Sequence, residues 1–150
     1  LTVADRNTFQ RLEMTYTLNE SIRYFDDFLI YFAVALVLLV AFTLIYTKVT
    51  PYNEIALIRD GNTAAAISLS GALIGFALPL ASTVANAVNL IDLVLFAVLA
   101  TVVQLVVFVF ARMLMPGLTA SIEGGNVAKA TFLAAVSLAV GMLNAAALVY

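Results

Sequence analysis

The sequence predicts an all-α integral membrane protein with four transmembrane helices, arranged as two parallel two-helix repeats. Its composition is 64% apolar and 11% charged over 150 residues, whereas a soluble domain is about 45–50% apolar and about 25% charged. The charged residues leave four long apolar runs, each of the length that a membrane-spanning helix needs. Finally, shifting the chain by 64 residues places the first two runs on the last two without a gap.

The composition also excludes several kinds of chemistry. The chain has no cysteine and no histidine, which removes disulfides, Cys/His metal sites and nucleophiles activated by histidine. We therefore predict no catalytic residue, no metal and no cofactor. The net charge of −2 gives no basic surface for nucleic acid.

Residues 1–24 precede the first apolar run and differ from it in composition. Phe9 and Leu12, and then Leu18 and Ile22, recur at near-helical spacing among charged residues. This pattern predicts an interfacial amphipathic helix that leads into the first span. A polar tail is the alternative interpretation.

The four spans follow in two repeats, residues 25–88 and 89–150. Asn86 and Asn89 interrupt the long second run and predict a turn between the repeats. The predicted spans are 25–47, 62–85, 90–112 and 126–149. Because each repeat contains an even number of spans, both repeats enter the membrane in the same direction.

The positions of lysine and arginine predict the orientation. The segments after spans one and three carry Lys48, Arg59, Arg112 and Lys129, and the segment between spans two and three carries none. The N-terminal segment has three arginines. Positive-inside counting therefore places the two hairpin loops in the cytoplasm and both termini outside.

The strongest local motif is a glycine–asparagine pair that occurs once in each repeat. Gly61 and Asn62 precede span two, and Gly125 and Asn126 precede span four. Asparagine is a preferred helix N-cap, because its side-chain oxygen accepts a bond from the first turn. The pairs predict either plain helix caps or helix N-termini that hold an anion or a polar headgroup.

Five charged residues surround the two motifs, each within a turn or two of a predicted span end at the membrane surface: Glu54, Arg59, Asp60, Glu123 and Lys129. The repeat exchanges their signs. Arg59 aligns with Glu123. If the repeats face each other, Arg59 could pair with Glu123, and Asp60 with Lys129. Such pairs would join the repeats.

Two polar side chains lie inside the predicted spans. Gln104 lies deep in span three, and Asn144 lies nearer an end of span four. Each predicts a hydrogen bond between helices or a polar point on a pathway across the membrane.

Small residues mark the predicted packing faces of spans two and four. Gly71 and Gly75 form a Gly-xxx-Gly pair. Span four offers the small residues Ala134, Ala135, Ala139, Gly141 and Ala145, of which Ala135 and Ala139 are the predicted packing candidates. Because small residues let membrane helices approach closely, spans two and four are expected at the centre. Spans one and three, rich in valine, leucine and phenylalanine, are expected outside.

The two hairpin motifs, Arg-Asp-Gly-Asn-Thr-Ala-Ala-Ala and Glu-Gly-Gly-Asn-Val-Ala-Lys-Ala, together with residues 141–146, resemble the YjfL-like bacterial inner-membrane family. That family is a domain of unknown function. The resemblance covers about residues 28–149. It implies a four-span inner-membrane protein with two repeats, and it implies no activity, substrate or site residue.

Together these features predict a non-enzymatic membrane component. It would be a structural or accessory subunit in the lipid bilayer that assembles through its small-residue helix faces, as a homo-oligomer or within a larger membrane complex. The alternative is a small oligomeric channel or transporter, with a polar pathway near Asn62, Asn126 and Gln104.

Overall fold

A computed structural model describes the backbone of residues 3–148 and the side chains of residues 14–16 and 24–148. This part of the chain forms α-helices and no strand. The helices are α1 (Val3–Val49), α2 (Glu54–Arg59), α3 (Thr63–Asn86), α4 (Leu90–Leu114), α5 (Leu118–Glu123) and α6 (Val127–Ala147). The predicted all-α class is confirmed.

Four helices in the described part of the chain are long and apolar enough to cross a membrane. They are Tyr24–Val49, Thr63–Asn86, Leu90–Leu114 and Val127–Ala147. The end of the first span and both ends of the other three lie within two residues of the predicted ends, because the charged and amide residues that flank apolar runs also end the spans. The predicted turn lies between α3 and α4, where Asn89 caps α4 by accepting from the Asp92 N–H.

The chain divides into two compact units, residues 1–34 and residues 35–150. In the first unit the helix α1 begins at Val3, and Phe28 stacks on Phe32 with ring centroids 5.6 Å apart. The side chains that would form the predicted amphipathic face, apart from residues 14–16 and 24, lie outside the described residues. Both predicted repeats contribute to the second unit.

Two short helices were not foreseen from the sequence. α2 and α5 each have six residues and lie between the long helices of their repeat. Six residues are too few to show a helical period. The bounds of α2 and α5 differ by the same 64 residues that relate the two halves of the sequence.

The tightest packing in the second unit is between α3 and α6. A Cβ on Gly71 would overlap Ala134, and a Cβ on Gly141 would overlap the backbone of Gly75. The absence of side chains at these positions therefore allows the two helices to approach closely. Span two is the most buried of the four at 56%, whereas span four at 28% is no more buried than span three at 33%, so only span two has the predicted central position.

Of the small residues predicted to pack in α6, only some face the other helices of the chain. Ala135 and Ala139 are exposed, whereas Ala134, Ser137 and Gly141 are buried. Several faces of α6 carry small residues, so residue size alone could not identify the buried one.

Aromatic side chains connect the second half of α1 to the centre. Phe42 stacks on Phe76 of α3 at 4.2 Å, and the Tyr46 ring meets the edge of Phe108 of α4 at 5.8 Å. The rest of the first span is exposed or half-buried: only 6% of its most apolar window is buried, against 56% for α3.

Candidate functional site

Each glycine–asparagine pair joins the end of a short helix to the start of a long one. Gly61 and Gly125 have φ of 86° and 81°, a conformation that favours glycine. The Gly61 N–H donates to Ile58 O at 3.0 Å and the Asn62 N–H donates to Leu57 O at 2.8 Å. This is the Schellman arrangement that closes a helix C-terminus.

The same asparagines then cap the following helices. The Asn62 Oδ1 accepts from the Ala65 N–H at 2.9 Å, and the Asn126 Oδ1 accepts from the Lys129 N–H at 3.1 Å. The residue types thus follow from local geometry: glycine provides the positive φ, and asparagine satisfies a free N–H of the next helix.

Asn62 also connects the two hairpins. Its Nδ2 donates to the carbonyl oxygens of Ile122 and Glu123 at 3.0 Å and 2.9 Å. This side chain therefore joins α3 to the end of α5, across the boundary between the predicted repeats.

The four charged residues expected to join the repeats form no ion pair within the described part of the chain. Arg59, Asp60 and Glu123 are exposed. The Lys129 Nζ donates instead to Ser121 Oγ at 2.8 Å, inside its own repeat. The geometry therefore does not provide the expected Arg59–Glu123 and Asp60–Lys129 pairs, because Lys129 has a neutral partner nearer in the chain.

Gln104 lies inside the bundle and holds two helices together. It is 1% exposed, and its Nε2 donates to the Ser137 carbonyl of α6 at 3.1 Å. A Cβ on Gly75 would lie 2.5 Å from this Nε2, so the glycine makes room for the amide. Asn144 is half-buried near the end of α6.

A second polar group lies where α1 ends and α2 begins, and we call it the Glu54 cluster. Its members are buried residues whose side chains carry oxygen: Tyr46, Thr50, Tyr52, Glu54 and Ser68. Tyr52 interacts with Ser68 and Glu54, Tyr46 interacts with Tyr52 and Glu54, and Thr50 lies beside Glu54. The cluster thus draws residues from α1, α2, α3 and the loop between α1 and α2.

The cluster is short of hydrogen-bond partners. Glu54 is 1% exposed, and neither of its carboxyl oxygens has a partner of good geometry. The hydroxyls of Tyr46, Tyr52 and Ser68 also lack a partner of good geometry. Buried polar groups are normally hydrogen-bonded, so this cluster needs an explanation.

Burial shifts the pKa of Tyr52 in the loop and of Glu54 at the start of α2. Loss of solvent raises the pKa of Glu54, against a smaller lowering by Thr50 and the Glu54 backbone. Burial also raises the pKa of Tyr52 to about 12, with Ser68 opposing and the carboxylates of Glu54 and Glu123 adding to the rise. The environment therefore disfavours a bare negative charge on Glu54.

The sequence interpretation missed the burial of Glu54, which it placed at the membrane surface with the other charges. The 64-residue offset contains a signal that could have found it. The offset aligns Glu54 with Leu118, which is fully buried at 0% exposure. A carboxylate that takes the place of a core leucine was predictable from that alignment.

The fold and these contacts define a small all-helical integral membrane protein with four helices able to span the bilayer. Residues 16–148 match the family described as Domain of Unknown Function (DUF350). The chain belongs to that family, as the motifs at the two hairpins indicated.

Two curated relatives carry the same name. The chain is 39% identical over 120 residues to UPF0719 inner membrane protein YjfL of Escherichia coli (strain K12), and equally to the protein of that name from Escherichia coli O157:H7. The match covers 80% of this chain and 91% of each relative. No solved structure matches the chain.

Proposed function

We propose that the chain is a non-enzymatic component of the bacterial inner membrane that assembles with further copies of itself. The inner-membrane location is supported by the names of its relatives. Incorporation into a larger membrane complex is the other form of assembly to be distinguished.

The observation that carries the proposal is a second small-residue face on α6. Gly71, Gly75 and the buried side of α6 are already engaged inside the chain. On the opposite side of α6, Thr131, Ala135 and Ala139 are exposed at intervals of four residues. We call these three residues the outer α6 face.

The outer α6 face differs from the other exposed helix surfaces. The exposed side of α4 carries bulky apolar residues suited to lipid, for example Leu95, Val102 and Val106. Small residues spaced by four favour close contact between membrane helices. Phe132 and Met142 are exposed beside the outer α6 face. Its small residues still make it better suited than the exposed side of α4 to close contact with another membrane helix.

Disulfide cross-linking tests this directly, because the chain has no cysteine of its own. We expect Ala139→Cys to give a covalent dimer when the protein is mildly oxidised in its native membrane. Val102→Cys, at an exposed position in α4, is the matched control and should stay monomeric.

Native mass spectrometry of gently extracted protein identifies the form of assembly. A single homo-oligomeric stoichiometry is the expected result. Co-extraction with larger membrane subunits would replace self-assembly by an accessory role. Equal cross-linking at positions 139 and 102, or a monomer in both experiments, would overturn the proposal.

A further inference from the structure

The Glu54 cluster contains buried oxygen atoms without hydrogen-bond partners of good geometry. Glu54 contributes two carboxyl oxygens, and each nearby hydroxyl has one proton to donate. The Thr50 hydroxyl donates its proton to the Tyr46 carbonyl at 3.1 Å. Thr50 also acts as a hydrogen-bond donor to Glu54, but its single proton is shared with the Tyr46 carbonyl.

No basic side chain compensates for the carboxylate. The structure gives Glu54 no ion pair with any lysine or arginine among the described residues, and Lys48, the nearest lysine in sequence, is exposed. A buried charge without a partner is very unfavourable. A positive partner from outside the chain would resolve this.

The end of α1 adds further negative potential. α1 ends at Val49, two residues before Pro51, and proline has no N–H to continue the hydrogen-bond pattern. The last carbonyl groups of a helix carry partial negative charge. In membrane transporters, helix C-terminal ends and unwound carbonyls are used to coordinate Na⁺.

From this arrangement we propose that the Glu54 cluster binds one small monovalent metal cation. The ligands available are oxygens, which suit hard cations. A single carboxylate balances a single positive charge, and the described residues contain no group of three acidic, histidine or cysteine side chains that could hold a metal ion.

Within this site, Glu54 provides the charge, and the hydroxyls of Tyr46 in α1, Tyr52 in the loop and Ser68 in α3 provide neutral oxygens. A proton competes with the metal ion for Glu54. The groups that face the carboxyl are Tyr46 of α1 and Tyr52 of the loop, and Glu123 of α5 acts on Tyr52. Metal binding should therefore strengthen as the pH rises and Glu54 loses its proton.

The test measures thermal unfolding of the purified full chain in detergent, in NaCl or KCl against choline chloride at equal ionic strength. We expect NaCl or KCl to raise Tm by several degrees, because a ligand that binds only the folded protein stabilises it. Glu54→Gln should lose this response. Asp60→Asn, which removes an exposed carboxylate from the same hairpin, should keep it.

The pH dependence of the folded protein's stability distinguishes binding of a metal ion by Glu54 from protonation of Glu54. Because burial raises the pKa of Glu54, the metal-free protein should be most stable below the ordinary carboxyl pKa and lose stability as the pH rises through the folded-state pKa. NaCl or KCl should restore the stability that is lost as the pH rises. A pH dependence with no difference between metal and choline salts at any pH would show that Glu54 holds only a proton, which overturns the proposal.

Two further variants keep the test decisive if Glu54→Gln does not fold. Tyr52→Phe and Ser68→Ala each remove one neutral oxygen, and each should increase the salt concentration needed for half of the stabilisation. An unchanged concentration in both variants, or a full response in Glu54→Gln, would contradict the site.

Discussion

At the scale of single residues, Asn62 and Asn126 occupy equivalent positions but make different contacts. Both asparagines cap a long helix. Among the described residues, only Asn62 also donates hydrogen bonds across the hairpins to α5. The repeated motif thus provides the same local structure twice and a connection between the repeats once.

This difference predicts unequal effects of the same substitution. Asn126→Ala should cost about 1 kcal/mol, the usual contribution of an N-cap, whereas Asn62→Ala should cost about 2–3 kcal/mol because two further hydrogen bonds are lost. Thermal unfolding of the two variants in detergent measures the difference. Equal losses would mean that the contacts of Asn62 with α5 do not stabilise the fold.

The residue-scale features could be predicted from the sequence only in part. Helix capping by Asn62 and Asn126 followed from residue type and position. The cross-hairpin bonds and the burial of Glu54 depend on how α5 and α1 pack, which local patterns do not contain. Apolar patterning places a carboxylate near a span end, but it does not say whether that end faces water or protein.

At the scale of elements, the contact of α3 with α6 depends on glycines, which have no Cβ atom. A Cβ on Gly75 would lie 2.5 Å from both Gln104 Nε2 and Ser137 O. The same glycine therefore sets the spacing of α3 and α6 and leaves room for the polar link from α4.

We accordingly expect Gly75→Ala to destabilise the fold by about 1–3 kcal/mol, the usual range for overpacking. Ser70→Ala is the matched control, since Ser70 is exposed on the same helix and the substitution yields the same residue. Tm in detergent is the measurement. A Gly75→Ala protein as stable as the control would show that α3 and α6 can separate without loss.

The spans were predictable because a helix needs about 20 mainly apolar residues to cross the hydrocarbon core of a bilayer. The buried face of α6 was not, because alanine, serine and glycine occur around several sides of that helix. The contacts with Gly71 and Gly75, which only the folded chain shows, decide that Ala134 is inside and Ala135 is outside.

At the scale of the whole molecule, the second unit is held together by contacts between the long helices and by contacts between the two hairpins at one end. Small residues and Gln104 hold the long helices together within the spans. The two hairpins meet through Asn62 at one end, where the Glu54 cluster also lies. Which side of the membrane this end faces decides which compartment supplies the proposed cation.

We propose that the hairpin end is cytoplasmic, because Lys48, Arg59, Arg112 and Lys129 lie near it. The cysteine-free chain makes the test clean. Val88 lies in the turn at the opposite end and is 86% exposed, so Val88→Cys should react with a membrane-impermeant maleimide added to intact cells. Asp60→Cys, exposed in a hairpin, should react only after the membrane is opened. The reverse pattern would place the Glu54 cluster on the outer side, where the proposed site would draw its metal ion from the external medium and encounter its pH.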